Sequence, residues 1–222
     1  ESGARNGDSN IAKGHNEFAS LEAAVATLVP GDTLVLCNGH HWEGDIVIDV
    51  PVRICSESND PSRCIVELTG SLKMVGPTNR CLFNGITIRR PRKVEKRSPC
   101  IVISDGAKLA LASCTVNNEG AYGAVISASK LAKLHIYETM VKCGTSAGIT
   151  GVDCIVMAAY SKIVDNLGYG IVALRSIIYA EDCYVMRNGK EQIHLAGKSG
   201  LMLAFCEVRS SSEESMTGRE TD

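Results

Sequence analysis

The 222 residues carry 23 basic and 25 acidic side chains, a formal net charge of −2, so bulk electrostatics selects neither nucleic acid nor a membrane surface as partner. Hydrophobic residues make up 45% and aromatics only 5%, which suits a long core of small and branched side chains. No apolar run approaches the roughly eighteen residues that would cross a bilayer, and no signal peptide is visible. Because the chain starts at Glu1 rather than Met, it reads as an excised domain or a processed form.

From the N-terminus, residues 1–15 are polar and glycine-containing and read as a flexible tail. Residues 16–29 place Phe18, Leu21, Val25 and Leu28 at steps of 3, 4 and 3, the period of an amphipathic helix. Asn16 is its expected N-cap and Pro30-Gly31 its stop. DTLVLC (32–37), DIVID (45–49) and VRICSE (52–57) then read as strands, and 64–76 and 80–88 continue the pattern. Next comes a strongly basic stretch, RRPRKVEKR at 89–97, with six positive side chains against Glu95.

From residue 99 onward a segment of roughly twenty-three residues recurs five times. Its copies are AKLALASCTV (107–116), AKLHIYETMV (132–141), IVMAAYSKIV (155–164), SIIYAEDCYV (176–185) and SGLMLAFCEV (199–208). Aligned on their last residues, Val116, Val141, Val164, Val185 and Val208 form a column with steps of 25, 23, 21 and 23. Leu109, Leu134, Met157, Ile178 and Leu201 form a second, and Ile103, Ile126, Ile149, Ile171 and Ile193 a third. Such fixed-period self-similarity marks a solenoid, whose repeats bury their apolar faces only against one another. Inside each copy the apolar residues alternate, and Gly and Asn interrupt every few residues, so the elements are short strands. The Leu-x-x-Leu-x-Leu pattern of leucine-rich repeats is absent. The predicted fold is an all-β, right-handed parallel β-helix of about seven to eight coils over 16–208, capped by a lid helix over 16–29. The lid answers the exposed strand edges of the first coil, and the acidic stretch 209–222 is read as a disordered tail.

The ten cysteines permit two readings, five disulfides in a secreted protein or free thiols in an intracellular one. Register favours the second, because Cys114, Cys183 and Cys206 share one column with Thr139 and Lys162, and Cys114 lies three coils from Cys183. Small, polarizable Cys fills a tight interior well. A metal site is not expected, since no four ligands converge at a recognisable spacing.

The stretch PGDTLVLCNGHHWEGDIVIDVPVRI (30–54), with FNGITI (83–88) after it, resembles the opening coils of the pectate-lyase-like β-helix superfamily. Within it the chain is most similar to the β-helix regions of F-box-only ubiquitin-ligase adaptors and of the SHC SH2-domain-binding protein. That resemblance covers about 18–208 and implies recognition of a protein partner, without an F-box in these residues. The Asn-Thr-Asp, Asp-Asp, Gly-His-Gly and Arg-Ile-Lys signatures of polygalacturonases are missing, as is the Gly-x-x-Asp-Phe motif of methylesterases. Asp153, Asp165 and Asp182 are scattered across coils rather than gathered as in pectate lyases. The functional expectation is therefore a non-catalytic, cytoplasmic or nuclear interaction scaffold without cofactors or metal. The alternative is a carbohydrate-binding or carbohydrate-active β-helix of the pectate-lyase type.

Two candidate surfaces accompany these readings. The basic stretch, with Arg89, Arg90, Arg92, Lys93, Lys96 and Arg97, fits an acidic or phosphorylated protein; nucleic acid is disfavoured because no aromatics interleave it. Tyr137, Tyr160 and Tyr179 form a possible face for stacking on sugar rings, with Tyr160 and Tyr179 sharing one register position. Elsewhere, Trp42 is expected to pack on the first coil beside the His40-His41 pair, and alternation turns His135 and His194 outward.

Overall fold

The computed structural model describes residues 11–13, 16–92 and 98–210. Three parallel sheets run the length of a right-handed β-helix of seven complete coils, with an eighth represented by two strands. Sheet 1 has ten strands, whose parallel part runs from Thr33–Leu36 to Gly200–Ala204. Sheet 2 has eight, from Gly39–Glu43 to Glu207–Arg209, and sheet 3 has seven, from Ile46–Ile48 to Ile193–Ala196. Each complete coil contributes one strand to each sheet, so every strand between the ends pairs with its equivalent in the coils before and after.

Period-two alternation decides which side chains enter. In Lys133–Tyr137, Leu134 and Ile136 are buried while His135 and Tyr137 face out. Inward residues then stack coil on coil. Leu109, Leu134, Val156, Ile178 and Leu201 form one column in sheet 1. Val116, Val141, Ile163, Val185 and Val208 form another in sheet 2. Ile101, Ile126, Ile149, Ile171 and Ile193 line sheet 3.

These columns correct the sequence alignment in two places. The copy over 155–164 is displaced by one residue, so Val156 and Ile163 occupy the core columns assigned to Met157 and Val164. Met157 faces solvent at 42% exposure, whereas Val156 and Ile163 are fully buried. Apolar residues at adjacent positions, Val156-Met157 and Ile163-Val164, left the alternation degenerate there. In sheet 3, Ile101 rather than Ile103 begins the isoleucine column; Ile103 stacks on Ala128. The same displacement removes Lys162 from the cysteine column, where Ser161 stands instead.

That corner column is a ladder of small polar side chains. Each of Cys114, Thr139, Ser161, Cys183 and Cys206 donates to the carbonyl two residues earlier, at 2.7–3.3 Å. Thr139 and Ser161 also accept from the backbone N–H of the residue one coil before, Cys114 and Thr139. All ten cysteines are free thiols. Burial pushes the Cys64 and Cys100 thiols up to about 12 and those of Cys81 and Cys114 up to about 11.

The N-terminal end differs from the expected lid. The helix spans Leu21–Val25 only, with Ser20 as N-cap, its Oγ accepting from the Ala23 N–H at 3.1 Å. Glu43 reaches across from sheet 2 to accept from the Leu21 N–H at 2.7 Å. Asn16–Phe18, expected in the first helical turns, is instead a strand antiparallel to Ile11–Lys13, which continues sheet 1 onto Thr33–Leu36. Backbone pairing at an open sheet edge outcompetes the helical period. At the other end Leu201, Leu203 and Val208 are 39–41% exposed, though their counterparts one coil earlier are at most 4% exposed. The expected tails, 1–15 and 209–222, lie largely outside the described residues.

Candidate functional site

The outer face of sheet 1 holds a shallow groove of about 400 Å³ that runs across the strands from the fourth coil to the eighth. Two outward columns form it. Ala110, His135, Met157, Tyr179 and Met202 stack in one, and Ala112, Tyr137, Ala159, Glu181 and Ala204 in the other. Methyl and thioether groups make the floor, with Tyr137 and Tyr179 rising from it. Beside it, at the strand starts, Arg80, Lys108 and Lys133 stack in three successive coils. Glu138 and Asp182 mark the opposite edge, at the turn into sheet 2.

Electrostatics inside the groove follows from these neighbours. Partial burial, then Lys133 and Lys108, holds His135 below its ordinary value and favours the neutral ring. Glu138 beside Tyr137 pushes the phenol up, so Tyr137 stays protonated through the physiological range. The groove thus presents an imidazole biased to its neutral form, two phenols and one carboxylate, Glu181, along an apolar floor.

Tyr137 and Tyr160 meet edge to face, with ring centroids 5.5 Å apart. Tyr160 lies at the turn after sheet 1, however, while Tyr179 stacks on Met157, so the shared register of Tyr160 and Tyr179 does not hold. The basic stretch is also redistributed. Arg89 ends a strand of sheet 2 and pairs with Glu67 and, at 3.5 Å, with Glu119. Arg90 is fully buried, its guanidinium donating to the Ser98 carbonyl. Arg92 is exposed, and Lys93, Lys96 and Arg97 lie outside the described residues.

Trp42 is 59% exposed, and it is His41 that turns inward, its Nε2 donating to the Cys37 carbonyl at 2.9 Å. His194 is partly exposed and pairs with Glu191 at 2.6 Å. Lys162 lies on the outside of sheet 2. No group of three metal-ligating side chains occurs among the described residues. Sequence reasoning missed the floor itself. Its signal, alanine and methionine at outward positions of successive copies, was hidden by the one-residue displacement at Met157.

No family model matches the chain, and no curated protein matches it in sequence. Solved structures do match in shape. Pectin methylesterase PemA from Erwinia chrysanthemi superposes with a TM-score of 0.59 over 93% of each chain, at 9% identity. A candidate glycosyl hydrolase from Parabacteroides merdae gives 0.51 over 82% of each chain, at 15% identity. The chain has the right-handed parallel β-helix fold of the pectin methylesterases. At these identities the likeness carries the fold alone. Nothing in these neighbours links the chain to F-box adaptors or to SHC-binding proteins, so the finer resemblance is withdrawn. The non-catalytic expectation is corrected on the same ground: it leaned on those relatives and on missing motifs, whereas the structural neighbours are carbohydrate-active. Motifs tied to neighbouring positions are weak witnesses in a solenoid, where a site is assembled from separate coils.

Proposed function

We propose that this is a carbohydrate-active β-helix protein that holds an acidic polysaccharide lengthwise in the groove of sheet 1. The observation that carries the reading is the groove's composition: a narrow apolar floor with two tyrosines, flanked along its first two strands by Lys108 and Lys133, with Arg80 one coil before them. Sugar rings stack on aromatic and methyl surfaces through their C–H faces, and fixed cations at coil spacing suit carboxylates at a polymer repeat. Four steps of about 4.8 Å give the groove a length of about 19 Å, room for a few sugar units. Pectin, the substrate class in the name of the methylesterase neighbour, is such a polymer. The groups offered to a bound chain are the Glu181 carboxylate and the neutral His135 ring, two proton acceptors held two coils apart.

Affinity electrophoresis in gels containing polygalacturonate, pectin or neutral dextran tests the binding, and methanol release from esterified pectin tests the chemistry. Retardation by the acidic polymers, reduced at least tenfold in Tyr137→Ala/Tyr179→Ala, is the expected result. Equal mobility in all gels together with no methanol release would overturn the reading.

A further inference from the structure

We propose that a second cleft, at the corner where sheet 1 turns into sheet 2 in the last three coils, binds an alkylated ammonium group presented on a peptide, as in methylated lysine. This cleft adjoins the sugar groove at Asp182 and Tyr160 but shares none of its lining residues, and the proposal does not rest on the carbohydrate reading. The cleft measures about 450 Å³ and is lined by Tyr160, Asp182, Tyr184, Phe205, Cys206 and Glu207. Half of its lining residues are aromatic in a chain that is 5% aromatic.

None of the three rings is core material: Tyr160, Tyr184 and Phe205 are 52%, 43% and 85% exposed. Two of them also occupy a position that disfavours them. Gly85, Ser113, Glu138, Tyr160, Asp182 and Phe205 mark equivalent corners in successive coils, all with φ between 47° and 66°. Glycine or a short polar residue adopts this left-handed conformation cheaply, whereas a bulky aromatic does so at a cost. Phe205 therefore stands, 85% exposed, where backbone preference does not ask for it, and Tyr160 does so with one edge-to-face contact, to Tyr137.

The chemistry of the cleft selects a cation. Aromatic faces attract ammonium groups, most strongly those whose alkylation has weakened their hydration. One ring already does so, since the Lys162 Nζ lies 5.7 Å from the Tyr184 centroid. Asp182 adds a negative charge, while Glu207 is engaged by Arg209 at 2.7 Å. The carboxylate argues against a phosphocholine headgroup, whose phosphate it would repel, and in favour of a lysine side chain on a peptide.

The test is titration of the folded protein with three forms of one short basic peptide: unmodified lysine, trimethyllysine and the uncharged tert-butyl isostere of trimethyllysine. Phosphatidylcholine vesicles form a fourth arm. Trimethyllysine should bind saturably and at least tenfold more tightly than the other two peptides. Tyr160→Ala and Phe205→Ala should each weaken it at least fivefold, and Lys162→Met, which removes the competing internal ammonium, should tighten it. Equal binding of the charged and neutral forms, binding to vesicles alone, or indifference to Phe205→Ala would overturn the proposal. Should a variant fail to fold, the charged-against-neutral comparison on the unaltered protein still decides it.

Discussion

Arg187 grips Asp165 one coil below it with two nitrogens, Nε to Oδ1 at 2.7 Å and Nη2 to Oδ2 at 2.9 Å. Arg175 and Asp153 repeat the arrangement at another corner, with both contacts at 2.6 Å. In each case the arginine's hydrogen bond holds the aspartate below its ordinary value. A carboxyl with a depressed folded pKa contributes stability that is present above the unfolded value, about 3.9, and lost as the pH falls through the folded value. Arg175→Ala should return the Asp153 titration to about 3.9, followed by carboxyl carbon shifts in NMR. An Asp153 midpoint unmoved by that change would remove the arginine as the cause.

The corrected register gives a paired test. Val156 lies fully buried in the sheet 1 core column, and its neighbour Met157 faces the groove. Val156→Asp would place an unpaired charge between coils, at a cost of several kcal/mol, and the variant should be unfolded or insoluble. Met157→Asp should stay folded and change stability by no more than about 0.5 kcal/mol. Thermal melts of the two variants decide: if Met157→Asp were the damaging one, the alignment read from sequence would be right and the observed stacking wrong.

The coil architecture was legible because its signal is repeated: a column of five branched residues averages over the noise of any one copy. Where a single copy carried apolar residues on both faces, as at Val156-Met157, there was nothing within it to choose between two registers, and the groove floor went unseen. The lid helix was misjudged for a different reason. Phe18, Leu21, Val25 and Leu28 satisfy a helical period, but Asn16–Phe18 finds a strand partner at Ile11–Lys13 that the period could not reveal. Arg90 shows the same limit, since a buried guanidinium that donates to the Ser98 carbonyl looks in sequence like one more charge in a basic loop.

The buried thiols predict an alkaline limit to stability. Cys64 and Cys100 ionise near 12 in the folded protein, against about 8.5 in an unfolded chain. Folding therefore keeps protons on these thiols that the unfolded chain gives up. The associated stability is complete below about pH 8.5 and declines as the pH rises toward the folded value. Urea midpoints should fall between pH 8.5 and 10.5, and the fall should be smaller in Cys64→Ala/Cys100→Ala. At pH 8, iodoacetamide should label the partly exposed Cys37, Cys55 and Cys206 well before these two. Equal labelling rates would mean that the interior opens readily.

Asn166 and Asn188 form a ladder through the buried corner between sheets 2 and 3. The Asn188 Oδ1 accepts from the backbone N–H of Asn166 at 3.1 Å and from its Nδ2 at 2.8 Å. Its own Nδ2 donates to the Ile163 carbonyl at 3.2 Å and to the Gln192 Oε1 at 2.7 Å. Both asparagines are at most 1% exposed, so every group left without a partner would be left without water too. Asn188→Ala orphans donors on Asn166 as well as the Ile163 carbonyl, and should cost about 2–4 kcal/mol, more than one hydrogen bond contributes. Asn166→Ala should also destabilise, because the Gly144 N–H then loses its acceptor at 2.8 Å. Once Asn166 is alanine, removing Asn188 no longer strands its side-chain amide, so the double variant should be less damaged than the two single costs combined, by about 1 kcal/mol. Urea denaturation of the four proteins measures this directly, and strict additivity would mean that the two side chains are neighbours without being coupled.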